Sequence, residues 1–210
     1  DTNKDIQSIY GIWDRLGTTK VTQDTLVEQT YTAFSGDANV GAGRVLSRNP
    51  VDYNSKFGWY LNFNNPAAVP VVVDNVTQAE FPGERAIRNI QLRGGIVFIN
   101  SIIPKPILSC TVEAGGASNA FCPDTGSTLC ITRDGIFDIN GDSTIDADDK
   151  TTSGNFVAST FFEGSVPTDS TFFGDSLVTQ LSDQSLNITL TDTSTSLHTG
   201  RISWSQLTTD

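Results

Sequence analysis

Residues 137–149 read FDINGDSTIDADD, placing five aspartates and an asparagine within thirteen positions. Counted from Asp138 as position 1, Asp138, Asn140 and Asp142 fall at 1, 3 and 5, Thr144 at 7, Asp146 at 9 and Asp149 at 12. This is the spacing at which an EF-hand-type loop offers oxygens to calcium. Alternate residues serve because a tightly coiled loop turns every second side chain inward. Position 7 lends a backbone carbonyl, so the side chain of Thr144 is free to vary, and the apolar Ile145 at position 8 anchors the loop to a core. Carboxylates this close repel one another by roughly 1 kcal/mol per pair even in high dielectric, a strain that a divalent cation relieves. An all-oxygen set favours Ca²⁺ over Mg²⁺, which keeps more water, and the lack of nearby His or Cys disfavours softer metals. The expected cofactor is therefore Ca²⁺, held by Asp138, Asn140, Asp142, the Thr144 carbonyl, Asp146 and Asp149.

Two positions depart from the usual pattern. Ser143 stands at position 6, where glycine normally supplies a positive φ, and position 12 is the shorter Asp149 instead of Glu, as in dockerin-type loops. The flanks, CITRDGIF before and KTTSGNFVASTFF after, read as strand and not as helix. The loop is thus expected as a structural clip or local switch in a β framework, without the helix-opening response of calcium sensors.

Other reactive residues are sparse. The three cysteines, Cys110, Cys122 and Cys130, fall in one region, and Cys122 and Cys130 flank the turn-like insert PDTGST. A Cys122–Cys130 disulfide is expected, with Cys110 paired elsewhere or buried free. The lone histidine, His198, lies in a polar TSLHTG turn, and Ser118 in GGASN lacks the frame and partners of a nucleophile elbow, so no enzyme activity is expected. Trp13, Trp59 and Trp204 read as sheet aromatics, and Arg85, Arg88 and Arg93 as partners for acids between sheets.

The elements that must position these residues are short β-branched and aromatic runs. QSIYGIWD (7–14), FGWYLNF (57–63), AVPVVVD (68–74), GGIVFINSII (94–103), NFVASTFF (155–162) and LNITLTD (186–192) all read as strands. The best case of helical spacing, around Val27 to Phe34, is weakened by threonine. An all-β fold is expected over residues 1–210 as one domain, with excursions from the sheet at about 104–153, holding the cysteines and the acidic loop, and at 164–185. The net charge of −11 over 210 residues argues against nucleic acid or an anionic membrane surface as partner. No run approaches the length of a membrane span, and the opening residues do not read as a secretory leader.

Several strings in order, YGIWD (10–14), GWYLNF (58–63), GERAIRNIQLRGGIVFINSIIP (83–104), CTVEAGGASN (110–119), FDINGDSTIDADD and GRISWSQL (200–207), resemble the C-terminal domain of the PilY family, the type IV pilus tip-associated biogenesis factors and adhesins. The resemblance implies a modified β-propeller with an EF-like calcium loop at the positions named above. It also implies placement at the pilus tip or on the bacterial cell surface, associated with the outer membrane. The implied role is support of pilus extension and adhesion through pilus components and an adhesive ligand of unspecified chemistry. A chain of 210 residues supplies about half of such a propeller, so further blades of a longer precursor or a neighbouring copy are expected along open strand edges, GGIVFINSII foremost. The rival expectation is a structural subunit that self-assembles into an extracellular filament by strand-edge pairing.

Overall fold

The computed structural model describes residues 5–17, 20–38, 41–63, 71–73, 76–78, 83–104, 114–131, 135–162 and 164–193. Cys110, His198 and Trp204, most of the string at 68–74 and all of that at 200–207 lie outside the described residues. The strands are β1 (Ser8–Ile12), β2 (Val27–Gln29), β3 (Tyr31–Asp37), β4 (Gly41–Leu46), β5 (Gly58–Asn62), β6 (Val71–Val73), β7 (Val76–Gln78), β8 (Arg85–Ala86), β9 (Gln91–Arg93), β10 (Ile96–Ile103), β11 (Gly115–Phe121), β12 (Val157–Phe162), β13 (Pro167–Phe173), β14 (Ser176–Leu181) and β15 (Leu186–Leu190). The described helix amounts to two 3-10 turns, Gln23–Thr25 and Ala147–Asp149. The protein is all-β. No helix among the described residues is long and apolar enough to cross a membrane.

A seven-stranded sheet runs β3-β4-β12-β11-β10-β8, with β9 also paired to β10. A three-stranded sheet β1-β5-β2, in which β2 runs parallel to β5, lies against one part of it, and β13-β14-β15 form a consecutive meander. Strand β10, IVFINSII, is apolar without alternation because it is covered on both faces, Ile96 to Ser101 all being buried. One edge of β10 pairs with β11 from Val97↔Phe121 to Ile103↔Gly115, and the other with β8 and β9. The need for outside polypeptide along GGIVFINSII is therefore met within the chain.

Three other expectations change. Residues 27–34 form β2 and the start of β3, because β-branched and aromatic side chains pack better on a pleated surface than on a helix. The segment 104–153 is not wholly an excursion, since β11 (GGASNAF) lies at the centre of the large sheet. Its small residues are required by crowding: a Cβ at Gly116 would stand 2.2 Å from Pro167 and 2.5 Å from the Ser101 carbonyl. The segment 164–185 supplies β13 and β14, whose polar residues alternate with Phe172, Leu177 and Thr179 facing inward.

Two apolar clusters fill the interior. One gathers Trp59, Leu61, Phe63, Ile99 and Phe121 between the β1-β5-β2 sheet and the large sheet. The other gathers Ile96, Phe98, Ile136, Phe137 and Leu177 beneath the meander and the acidic loop. Cys122 and Cys130 close a disulfide with Cα atoms 5.8 Å apart. The loop it closes docks on the smaller sheet, where Trp59 Nε1 donates to Pro123 O at 2.9 Å and Gln29 Nε2 to Thr125 O at 2.8 Å.

Candidate metal loop and its surroundings

Phe137 enters the acidic loop from the core and bridges to Thr191, just beyond β15. Asp138 N donates to Leu190 O and Asp192 N to Ile136 O, each at 3.0 Å, so the loop's first residue is stitched to the meander. At the far end, the 3-10 turn Ala147–Asp149 leads through the Lys150–Phe156 bridge into β12. Thr152 N and Oγ1 donate to Asp37 Oδ2 at 3.0 and 3.1 Å, which ties the exit to β3.

Inside the loop every second side chain turns back on the backbone. Asp138 accepts from Gly141 N at 2.7 Å and Ser143 N at 2.9 Å, Asn140 Oδ1 from Asp142 N at 2.9 Å, and Asp142 Oδ1 from Thr144 N at 2.8 Å. Asp146 Oδ1 accepts from Asp148 N at 2.9 Å. Asp149 closes the coil, accepting from Ile139 N at 2.6 Å and from Asp146 N at 3.0 Å. Ser143 takes a φ of 70°, the left-handed conformation that position 6 of a calcium loop requires. Ile145 is half-buried, its Cγ2 standing 3.3 Å from where a Cβ on Gly135 would be.

The sequence-predicted ligands thus share one coiled loop, but their carboxylates are aimed at loop amides. Among the described residues no three His, Cys, Asp or Glu side chains converge as a ready cage. A carboxylate oxygen accepting one N–H keeps a second lone pair, so the donor chemistry fits a hard cation such as Ca²⁺. Burial pushes the Asp149 carboxyl up, opposed by the amides of Ile139, Asp146 and Asn140 and reinforced by the charge of Asp138. Hydrogen bonds from Thr144 hold Asp142 below the usual carboxylate range.

The remaining sequence candidates among the described residues lie apart from one another. Ser118 is buried and donates to Asn100 Oδ1 at 2.7 Å. Trp59 is buried, whereas Trp13 is half exposed. Arg85 Nε donates to Gly83 O, Arg88 Nε to Pro167 O, and Arg93 pairs with Asp175 at 3.5 Å, so the three guanidinium groups do not converge on one ligand. Sequence reasoning passed over Arg44 and Glu84. Arg44 lies 4.1 Å over the Tyr31 ring and donates to Asn119 Oδ1 and Ser159 Oγ, both at 2.9 Å, while Ser101 Oγ donates to Glu84. This hub joins β3, β4, β10, β11 and β12. A lone Arg beside Val45 and Leu46 in GAGRVL was the available signal, because a charge in an apolar strand needs a partner.

The chain is 32% identical over 120 residues to a type IV pilus biogenesis factor PilY1 homolog of Xylella fastidiosa (strain Temecula1 / ATCC 700964). The match covers 57% of this chain and 7% of the relative, so this chain spans a small part of that protein. It supports kinship with PilY-related proteins over the matched stretch. No family model matches the chain, and no solved structure matches it.

Proposed function

We propose that this chain is a calcium-binding β module of a PilY-related protein of type IV pilus biogenesis. In this reading it sits at the pilus tip or on the bacterial cell surface, where it supports pilus extension and adhesion. The observation that carries the pilus role is the similarity to the Xylella pilus biogenesis factor homolog. Its sheets then form part of a modified propeller, whose further blades and pilus components are the partners.

The calcium reading rests on the loop's own backbone. Ser143 already holds the left-handed turn, and Asp149 already folds back onto the amides at positions 2 and 3. Asp138, Asn140, Asp142, the Thr144 carbonyl, Asp146 and Asp149 would hold the cation, which supplies positive charge to a loop otherwise strained by like charges. Because the loop's entry is bonded to Leu190 and its exit to Asp37, a cation there clips the meander and the large sheet together. Titration calorimetry on the isolated chain tests the binding. The pilus role is tested by placing Asp138→Ala in the full-length parent and counting surface pili. Absence of calcium binding at millimolar concentration ends the calcium reading; an unchanged pilus count despite lost binding separates calcium from pilus extension.

A second reading is a subunit that self-assembles through strand edges. It is favoured by β1, which pairs only with β5 among the described residues, and by the exposed Ile12 and Tyr10 on that strand. Light scattering distinguishes the two: a concentration-independent monomer sinks self-assembly.

A further inference from the structure

An open cleft of about 540 Å³ lies where β1 ends, lined by Gly11, Ile12, Trp13, Tyr53, Pro123 and Asp124. Its base is fixed by contact: a Cβ on Gly11 would stand 2.3 Å from the Trp59 ring, so the backbone lies flat on that indole. One side belongs to the loop closed by the Cys122–Cys130 disulfide, and Tyr53 OH donates to Asp124 O at 2.5 Å across it. The Trp13 and Tyr53 rings meet at 78° with centroids 5.5 Å apart, giving two aromatic walls at nearly a right angle.

The chemistry of these walls is selective. Trp13 is 50% exposed and already stacks one cation, the Arg15 guanidinium at 4.7 Å from its centroid. Arg15 is held there by the Phe57 ring at 4.5 Å and by the carbonyls of Tyr53 and Lys56. The Asp124 carboxylate is exposed at the rim of the cleft. Its charge nonetheless reaches the Tyr53 hydroxyl, whose pKa is raised by burial and then by Asp124. Ring faces are electron-rich and a carboxylate is anionic, so together they suit an organic cation. An inorganic ion gains little from the rings, a neutral apolar group gains nothing from Asp124, and a chain of net charge −11 repels anions.

We propose that the Trp13–Tyr53–Asp124 cleft binds a quaternary ammonium headgroup, whose methyl groups meet the apolar and aromatic lining and whose charge faces Asp124. This site stands apart from the acidic loop and does not depend on the pilus reading.

The test is a titration of the whole chain followed by indole and tyrosine NMR shifts. The probes are choline, N-acetyl-lysine methylamide and 3,3-dimethyl-1-butanol, the uncharged isostere of choline. A saturable, salt-sensitive shift is expected in the millimolar range for choline. Trp13→Ala is expected to weaken it by about fivefold or more, and Asp124→Asn by about threefold. Choline is expected to bind more tightly than the lysine derivative, and the reverse order would overturn the headgroup assignment. Both variants alter exposed residues, and an unchanged melting temperature shows that they remain folded. The proposal falls if choline does not bind, if the uncharged isostere binds as well as choline, or if both variants keep wild-type affinity.

Discussion

Arg44 and Glu84 meet in a two-pronged ion pair, Nη1 to Oε2 at 2.7 Å and Nη2 to Oε1 at 2.9 Å, with side chains 1% and 0% exposed. Arg44 lies on β4, one strand in from the β3 edge, and Glu84 directly precedes β8 at the other edge, so the pair joins segments far apart in the strand order of the sheet. Removing one partner leaves the other charge buried. Glu84→Ala is expected to cost about 3–5 kcal/mol in urea denaturation, while Arg44→Met with Glu84→Leu recovers most of that loss. Additive losses in the double variant would show that the two charges are not coupled.

Ser143 occupies the left-handed region at φ 70° with its N–H on Asp138. A side chain there costs about 1 kcal/mol that glycine avoids. Ser143→Gly is therefore expected to raise stability by about 0.5–1 kcal/mol and to leave calcium binding at least as tight. A destabilised variant would mean that the serine side chain contributes more than its conformation costs.

The Asp149 carboxyl titrates above its ordinary range because it is buried. A folded-state pKa above the unfolded one favours the fold while the group is protonated. That contribution is present below the unfolded pKa and lost as pH rises through the folded pKa. A cation instead needs the ionised form. The rise in melting temperature on adding calcium should thus grow as pH climbs through this acid window. An increment already complete below it would remove Asp149 from the ligand set.

The Cys122–Cys130 loop holds Trp59 in place from above. A Cβ on Gly126, which has a φ of +65°, would stand 2.2 Å from that ring. Gly126→Ala is expected to cost about 2–3 kcal/mol from overpacking and backbone strain together. Replacing both cysteines by serine should cost about 2.5 kcal/mol, the chain-entropy value for so short a loop. In each case Trp59 emission should shift to the red as the indole loses its cover. A native emission spectrum in either variant would show that the loop is not what shields it.

Strands β1, β5, β10, β12 and β15 were legible because their β-branched and aromatic residues mark a pleated surface whatever surrounds it. Strand β11 was not, since Gly116 answers to crowding by Pro167 and Ser101 and Gly115 to crowding by Phe162, partners distant in sequence. Strands β13 and β14 were hidden for another reason: they carry Ser and Thr on the inner face, where Ser170 meets Asn100 and Thr179. The acidic loop could be read because its spacing is local. The aromatic cleft could not, since Trp13, Tyr53 and Asp124 come together only through the docking of the disulfide loop on the smaller sheet.

The outer face of the meander leads to the last prediction. Thr171, Val178 and Ile188 lie in one cross-strand row, and Phe173 and Leu186 share that face. Phe173 is 83% exposed, Leu186 and Ile188 more than 60%. Beside β13, Asn89 binds the Asp169 carboxylate and Gln91 the Ser170 carbonyl, which brings the exposed Ile90 and Leu92 alongside. Exposed apolar side chains so close together are what a contact surface offers, and a double variant tests whether this face is one. Phe173→Ser with Ile188→Thr should leave stability within about 0.5 kcal/mol, because neither side chain is buried in this chain. On the proposed reading of this chain as one module of a longer PilY-related protein, the same pair in that protein should loosen the packing of the module against its neighbours, read as faster limited proteolysis at its borders. Equal proteolysis rates in parent and variant would show that this face stays in water.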